Sequence, residues 1–384
     1  MDLKPRQSIK NLKPYQNGNH SKHLFDLGQR VIKLDSNEAT GTPSPRVMIA
    51  LSEFIQSSNL NWYPDVCSTE LINKLSHYTK LPSKFLQTFN GSDHALETIC
   101  RTFLGEKDEV IVCAPSYDHF RVYAESCGAE IKNIFGPTPY LNKKDFLISQ
   151  ISPKTKMIYI VNPNNPTGFT YSGNEIRQIL NQSPQTLVIV DEAYFEFSKN
   201  TVIQLVLQFK NLIVTRSFSK AFGLAGLRVG YMAACESILA PINKIRVGKH
   251  VNSLGQVAAC ASLDDVEYME RYVSEVHASK AWLVEKIQSL NLVVISTPAN
   301  FILVKVANPE ALVEHLASQN IFIRDRSKIP QLEGFVRISI GHQLLMERFW
   351  KVFKEISVNL LQTSFTHDLK NQFTLAGTIE INQA

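Results

Sequence analysis

No run of about 18 apolar residues occurs in this chain, so nothing in it reads as a membrane span. Cysteine is sparse: six in 384 residues, none spaced as C-x-x-C, which leaves no disulfide framework and no zinc or thioredoxin-like pattern. Cys100, Cys113 and Cys235 lie in apolar segments and read as reduced thiols, so a cytoplasmic location is expected. The opening MDLKPRQSIKNLKPYQNGNH is polar and lacks the apolar centre of a signal peptide. No internal repeat or low-complexity tract is present. Charge is nearly balanced, with 40 Lys and Arg against 35 Asp and Glu. The densest basic point, NKK at 142–144, has no aromatic interleaving, so a nucleic-acid partner is not expected. The histidines are scattered and no metal set emerges.

What is present is ordinary globular material: 44% apolar and 20% charged residues, and length for two or three domains. The middle of the chain alternates strand-like and helix-like segments. DEVIVCAPSY (108–117), KMIYIVNPNNPTG (156–168), TLVIVDEAYFEF (186–197), NLIVTRSFS (211–219) and RVGYMAA (228–234) read as strands and their exits, with EIRQILNQ (175–182) as a helix. Near-continuous apolar strands separated by helices predict an α/β domain built on a mostly parallel sheet covered on both faces. Beyond about residue 235 the pattern changes to a long helix over 266–290, then separated strands at 300–306, 321–325 and 335–341. The expected division is a large domain over 51–240, a linker helix and smaller α+β domain over 241–361, and an N-terminal segment, 1–50, joining the smaller one. The tail 362–384 has no clear periodicity.

Ligands of open parallel sheets sit outside the carboxyl ends of the strands. Those ends carry Asp191 and Tyr194, then Asn165 with Pro166-Thr167-Gly168, then Ser116 and Tyr117, then Ser217, Ser219 and Lys220. In FNGSDHALETICRTFL (89–104) a turn feeds Ser92 and Asp93 into a helix with Leu96, Ile99, Cys100 and Phe103 at helical spacing. Such a helix opening suits a phosphate, although many helices open on Ser or Asp as a simple cap. Lys220 follows a strand and sits among small apolar residues, an expensive place for an ammonium that is not paired, neutralised or covalently used. A phosphate anchor, a lysine and a strand-end carboxylate together suit pyridoxal phosphate, whose aldehyde condenses with an amine and whose ring nitrogen needs an acidic partner.

The motifs NGSD (90–93), PSY (115–117), NPNNPTG (162–168), DEAY (191–194), SFSKAFGLAGLRVGY (217–231) and VRISIG (336–341) hold their order and spacing. On them the chain resembles a fold-type I, class I/II aminotransferase, most of all the histidinol-phosphate aminotransferase group. That resemblance implies a PLP-transferase with a large sheet domain and a smaller α+β domain. It implies amino transfer between an amino substrate and a 2-oxo acid, with 2-oxoglutarate and glutamate as one pair, through a PLP–lysine imine. Lys220 is then the cofactor lysine and the proton carrier, Asp191 the partner of the pyridine nitrogen, and Tyr194 and Asn165 the partners of the 3′-oxygen. Tyr117 stacks on the ring, and Ser92, Asp93, Ser217, Ser219 and Arg228 hold the phosphate. Tyr63 in WYPD matches a tyrosine that reaches the neighbouring subunit's cofactor, which implies a homodimer with shared active sites. A tyrosine before Pro64 also suits plain loop packing.

Arg337 matches the arginine that takes the substrate carboxylate as a bidentate fork. In the histidinol-phosphate group a pair like Arg324 and Arg337, helped by a tyrosine like Tyr15 in PYQNG, grips the substrate phosphate, and the pathway is histidine biosynthesis. Two arginines also serve a dicarboxylate. The chain departs from the group's pattern at NEATGTPSP (37–45), at His94 and at His119. A transaminase for another amino acid in a specialised pathway therefore stays open, as does a decarboxylase resembling threonine-phosphate decarboxylase. A non-catalytic regulator would need an added DNA-binding domain, and none precedes Tyr15.

Overall fold

The computed structural model describes residues 3–15, 31–57, 60–136, 144–356 and 358–361; the tail 362–384 lies outside them. Its strands in chain order are β1 (Ile32–Lys33), β2 (Leu86–Phe89), β3 (Glu109–Ala114), β4 (Glu130–Phe135), β5 (Thr155–Val161), β6 (Leu187–Asp191), β7 (Leu212–Ser217) and β8 (Gly230–Ala234). These are followed by β9 (Val294–Ser296), β10 (Phe301–Lys305), β11 (Ile321–Phe322), β12 (Arg324–Asp325) and β13 (Phe335–Ser339). The chain divides into two compact units.

The first unit contains residues 3–15 and 38–275. Its seven-stranded sheet has the order β2-β8-β7-β6-β5-β3-β4. β3, β4, β5, β6 and β7 run parallel, whereas β8 pairs antiparallel with both β2 and β7. The sheet is mixed, and the expected parallel majority survives in its centre. β5, β6 and β7 are buried almost throughout because helices cover both faces, which is why they read as unbroken apolar runs. The helix Gly91–Phe103 buries Ala95, Leu96, Ile99 and Cys100, one face of a 3.6-residue period. These side chains join Val110, Met157, Tyr159, Ile189 and Ile213 in one apolar core. The helix Gly173–Gln182 starts where Ser172 and Glu175 form a capping box.

β6 ends at Asp191, earlier than the apolar pattern of 186–197 indicates. The chain turns through Ala193 and re-forms as a short helix, Phe195–Ser198. The reason is long-range. The side chain of Glu192, buried, accepts hydrogen bonds from the backbone N–H of Val202 at 2.6 Å and from Arg216 Nε at 2.9 Å.

The second unit contains residues 31–37, 276–356 and 358–361. An antiparallel sheet of order β12-β13-β10-β9 forms its centre, and β1 pairs in parallel with β11. Phe301, Ile302, Leu303, Val304, Val336 and Ile338 are buried in it. The N-terminal segment thus does not stay together: residues 31–37 belong here, while 3–15 and 38–50 belong to the first unit, which also runs past residue 240 to Glu275. The arm 3–15 is tied to the helix His119–Ser126, where Ser8 Oγ donates to the Ser126 carbonyl at 3.0 Å and Arg121 donates to the Lys13 carbonyl at 3.1 Å.

Candidate active site

In the first unit, the exits of β5, β6 and β7 bring Asn165, Asp191, Tyr194, Ser217, Ser219 and Lys220 to one edge of the sheet. Lys220 Nζ lies 6.0 Å from the centre of the Tyr194 ring, and Tyr194 is buried. Asp191 closes β6 at 4% exposure. One carboxylate oxygen, Oδ2, accepts the Tyr159 hydroxyl at 3.0 Å. The other, Oδ1, is buried and has no hydrogen-bond partner among the described residues. Burial pushes this carboxyl up to about 6, against the pull of the Tyr159 hydrogen bond. A buried acceptor of this kind costs free energy until a donor, best a cationic one, is placed against it.

A second group surrounds the opening of the helix Gly91–Phe103. Asp93 Oδ2 pairs with Arg228 Nη2 at 3.1 Å, and Asp93 Oδ1 accepts the Tyr117 hydroxyl at 2.9 Å. The Asp93 carboxylate therefore orients a cation and a phenol, and its own backbone N–H is what can face an anion. Arg228 also donates to Ser219 Oγ at 3.4 Å, and Ser217 Oγ accepts the Ser219 backbone N–H at 3.1 Å. Gly91 has φ +79°, and a Cβ on it would stand 2.4 Å from the Arg228 guanidinium. A Cβ on Gly230 would stand 2.5 Å from the Ser92 backbone nitrogen. The cradle of backbone N–H groups, two hydroxyls and a guanidinium closes only because both positions lack a side chain.

Around the mouth, Tyr15 stacks on His119 with ring centres 4.6 Å apart and lies 6.0 Å from Tyr117. Tyr63 is 76% exposed, with Lys249 Nζ 3.4 Å above its ring. Arg324 and Arg337 belong to the second unit, where they stand directly opposite each other across β12 and β13. Arg337 is buried and donates from Nη2 to the Asp35 carbonyl at 2.5 Å.

Two groups escaped the reading of the sequence. Tyr159 sits mid-strand in β5, fully buried, and nothing local distinguishes it from a core aromatic. The ion pair of Glu192 with Arg216, at 2.8 Å, also receives the Thr201 hydroxyl and places the guanidinium 3.5 Å from the centre of the Phe195 ring. Glu192 was legible only as the second acid of DEAY.

A buried acid with one oxygen still lacking a donor, a glycine-gated anion cradle and a strand-exit lysine fit pyridoxal phosphate, and they define a site for amino-group chemistry. The comparisons with known proteins agree. Residues 29–352 match the family aminotransferase class I and II. The dihydroxyacetone phosphate transaminase of Campylobacter jejuni is 37% identical over 346 residues, covering 88% of this chain and 93% of its own length. The histidinol-phosphate aminotransferase of Ruminiclostridium cellulolyticum is 35% identical over 320 residues, 81% of this chain and 88% of its own length. The crystal structure of histidinol-phosphate aminotransferase from Sinorhizobium meliloti in complex with pyridoxal-5′-phosphate superposes with a TM-score of 0.83 at 22% identity, covering 94% of this chain and 97% of that one. The chain belongs to the class I and II aminotransferases. It is an aminotransferase whose cofactor is pyridoxal 5′-phosphate.

Proposed function

We propose that this enzyme transfers an amino group at a carbon one methylene away from a phosphate ester, with glutamate and 2-oxoglutarate as the other pair. Histidinol phosphate, the amine donor named by several relatives, has that arrangement, and so does dihydroxyacetone phosphate on the keto side. The observation that carries the reading is the Arg324–Arg337 register. Two guanidinium-bearing residues directly opposite on one face of an antiparallel pair suit one dianion, which can take a charge-assisted hydrogen bond from each. Tyr15, in the first unit, offers a neutral phenolic donor suited to a phosphate oxygen.

The cofactor, when bound through its aldehyde, supplies an electron sink next to the substrate carbon. The chain supplies the rest. Asp191 Oδ1 would accept a hydrogen bond from the protonated ring nitrogen and keep it protonated, Asn165 and Tyr194 would take the 3′-oxygen, and Tyr117 would cover the ring face. The phosphate rests on the backbone of Ser92 and Asp93, the hydroxyls of Ser217 and Ser219, and Arg228. The Lys220 amine carries the cofactor at rest and then moves the proton from the substrate carbon. Burial raises the Tyr117 hydroxyl far above the ordinary tyrosine range, with Asp93 adding to the shift, so this phenol stays a donor throughout.

The protein works as a homodimer in this reading. Met48, Ile49, Ile55, Leu60, Trp62 and Tyr63 expose apolar surface along 48–63, more than scattered surface residues account for. A second copy covers it and receives Tyr63 at its own cofactor. All six cysteines are free, which suits the cytoplasm. No helix among the described residues is long and apolar enough to cross a membrane.

The test is a half-reaction screen of the purified holoenzyme, following loss of the lysine-bound cofactor absorbance. Histidinol phosphate, serinol phosphate and glutamate should respond, whereas histidinol and serinol should respond far more weakly. Equal response with and without the phosphate would overturn the substrate class. Release of CO2 from glutamate in place of 2-oxoglutarate would make the enzyme a decarboxylase.

A further inference from the structure

We propose that His119 is a positioning residue: held between two tyrosines, it fixes Tyr15 beside Tyr117 and so sets the enzyme's preference for a phosphate ester. The proposal rests on the phosphate-ester reading above, and the experiment keeps the two apart.

His119 opens the helix His119–Ser126, so Tyr123, four residues on, lies on the same face. The imidazole is sandwiched. Tyr15 covers one side at 4.6 Å with ring planes 9° apart, and Tyr123 stacks at 4.6 Å and 29°. The Tyr123 hydroxyl is also 3.3 Å from His119 Nδ1, which limits rotation of the imidazole within the stack. Tyr117 meets the same ring edge-on at 6.2 Å. Tyr117 in turn is fixed at its far end by Asp93, the residue that also holds Arg228.

The backbone brings Tyr15 to this place by two ties on one helix. Arg121, itself held by Asp118 and Glu125, donates to the Lys13 carbonyl two residues before Tyr15. Ser8 is tied to Ser126 at the other end of the helix. These ties set the course of the arm, and the only ring contacts of Tyr15 among the described residues are those with His119 and Tyr117. With the imidazole removed, Tyr15 loses the surface that orients its hydroxyl. Glutamate has no phosphate and does not need that hydroxyl, whereas a phosphate ester does.

The experiment compares wild-type holoenzyme with His119→Ala, His119→Phe and Tyr15→Phe. It uses histidinol phosphate and glutamate as half-reaction substrates, with hydrogen exchange of the 3–15 peptide as a second readout. His119→Ala should raise KM for histidinol phosphate about tenfold, the scale of losing stacked ring contacts. Its kcat and its KM for glutamate should stay near wild type, and exchange in the arm should speed up. His119→Phe, which keeps a stacked ring, should restore both the KM and the protection. Tyr15→Phe should raise KM for histidinol phosphate with arm exchange unchanged. Equal changes in KM for both substrates, or arm exchange unchanged in His119→Ala, would overturn the proposal. Wild-type enzyme indifferent to the phosphate would instead defeat the substrate reading, and arm exchange in His119→Ala would then still decide whether His119 holds Tyr15.

Discussion

Replacing Asp191 with Asn should make the cofactor-free protein more stable and the enzyme nearly inactive. Burial raises this carboxyl from its ordinary 3.8 to about 6. A raised carboxyl contributes its stability below pH 3.8 and loses it as the pH climbs through 6. At about 1.4 kcal/mol per unit, the charged form costs the empty protein about 3 kcal/mol above pH 6. Asn cannot ionise, and its amide oxygen can still accept the Tyr159 hydroxyl. The gap between variant and wild-type apoprotein should therefore open as the pH rises from about 4 to about 6 and stay level above that. Urea unfolding of both apoproteins from pH 4.5 to pH 8 measures it. Activity should move the opposite way. An amide cannot hold the proton of the ring nitrogen as a carboxylate does, so kcat should fall about a hundredfold or more, the scale of removing one preorganised electrostatic partner. A stability gap independent of pH would refute the burial cost, and near-normal kcat would refute the role assigned to Asp191.

Lys220→Ala should abolish turnover and the absorbance of lysine-bound cofactor, checked by stopped-flow and absorption spectra; sustained transamination would contradict its assignment. Gly91→Ala should cost about 1–3 kcal/mol, because alanine is strained at φ +79° and its Cβ meets Arg228 at 2.4 Å. It should also weaken cofactor retention, read by dialysis against phosphate buffer. Arg216→Leu should destabilise the protein by about 3–5 kcal/mol, since Glu192 at 0% exposure is left as an uncompensated buried charge; denaturant midpoints test this.

The strand exits were legible because buried parallel strands declare themselves as apolar runs, and the first polar residues after each run mark the ligand edge. Asp191, Asn165 and Lys220 were placed that way. The direction of β8 was not legible, since RVGYMAA carries no sign of which neighbour it pairs with. β2 and β4 were also missed: LQTF is only four residues long, and EIKNIF mixes exposed and half-buried positions. The turn after Asp191 was hidden because Glu192 is satisfied by Arg216 and Val202, partners that no local window contains. The arm 3–15 joined the first unit through Ser126, Arg121 and His119, contacts made more than a hundred residues away.

The reversal at β8 has a further effect. β7 ends at Ser217 and β8 begins at Gly230, paired residue to residue, so the peptide between them leaves and re-enters at one rim. A parallel continuation would have spent that stretch on a crossover to the far rim. In the proposed site, Lys220 and Arg228 can therefore address the neighbouring aldehyde and phosphate arms of one cofactor from a single excursion of chain. A lengthened or shortened loop there would detune both grips together.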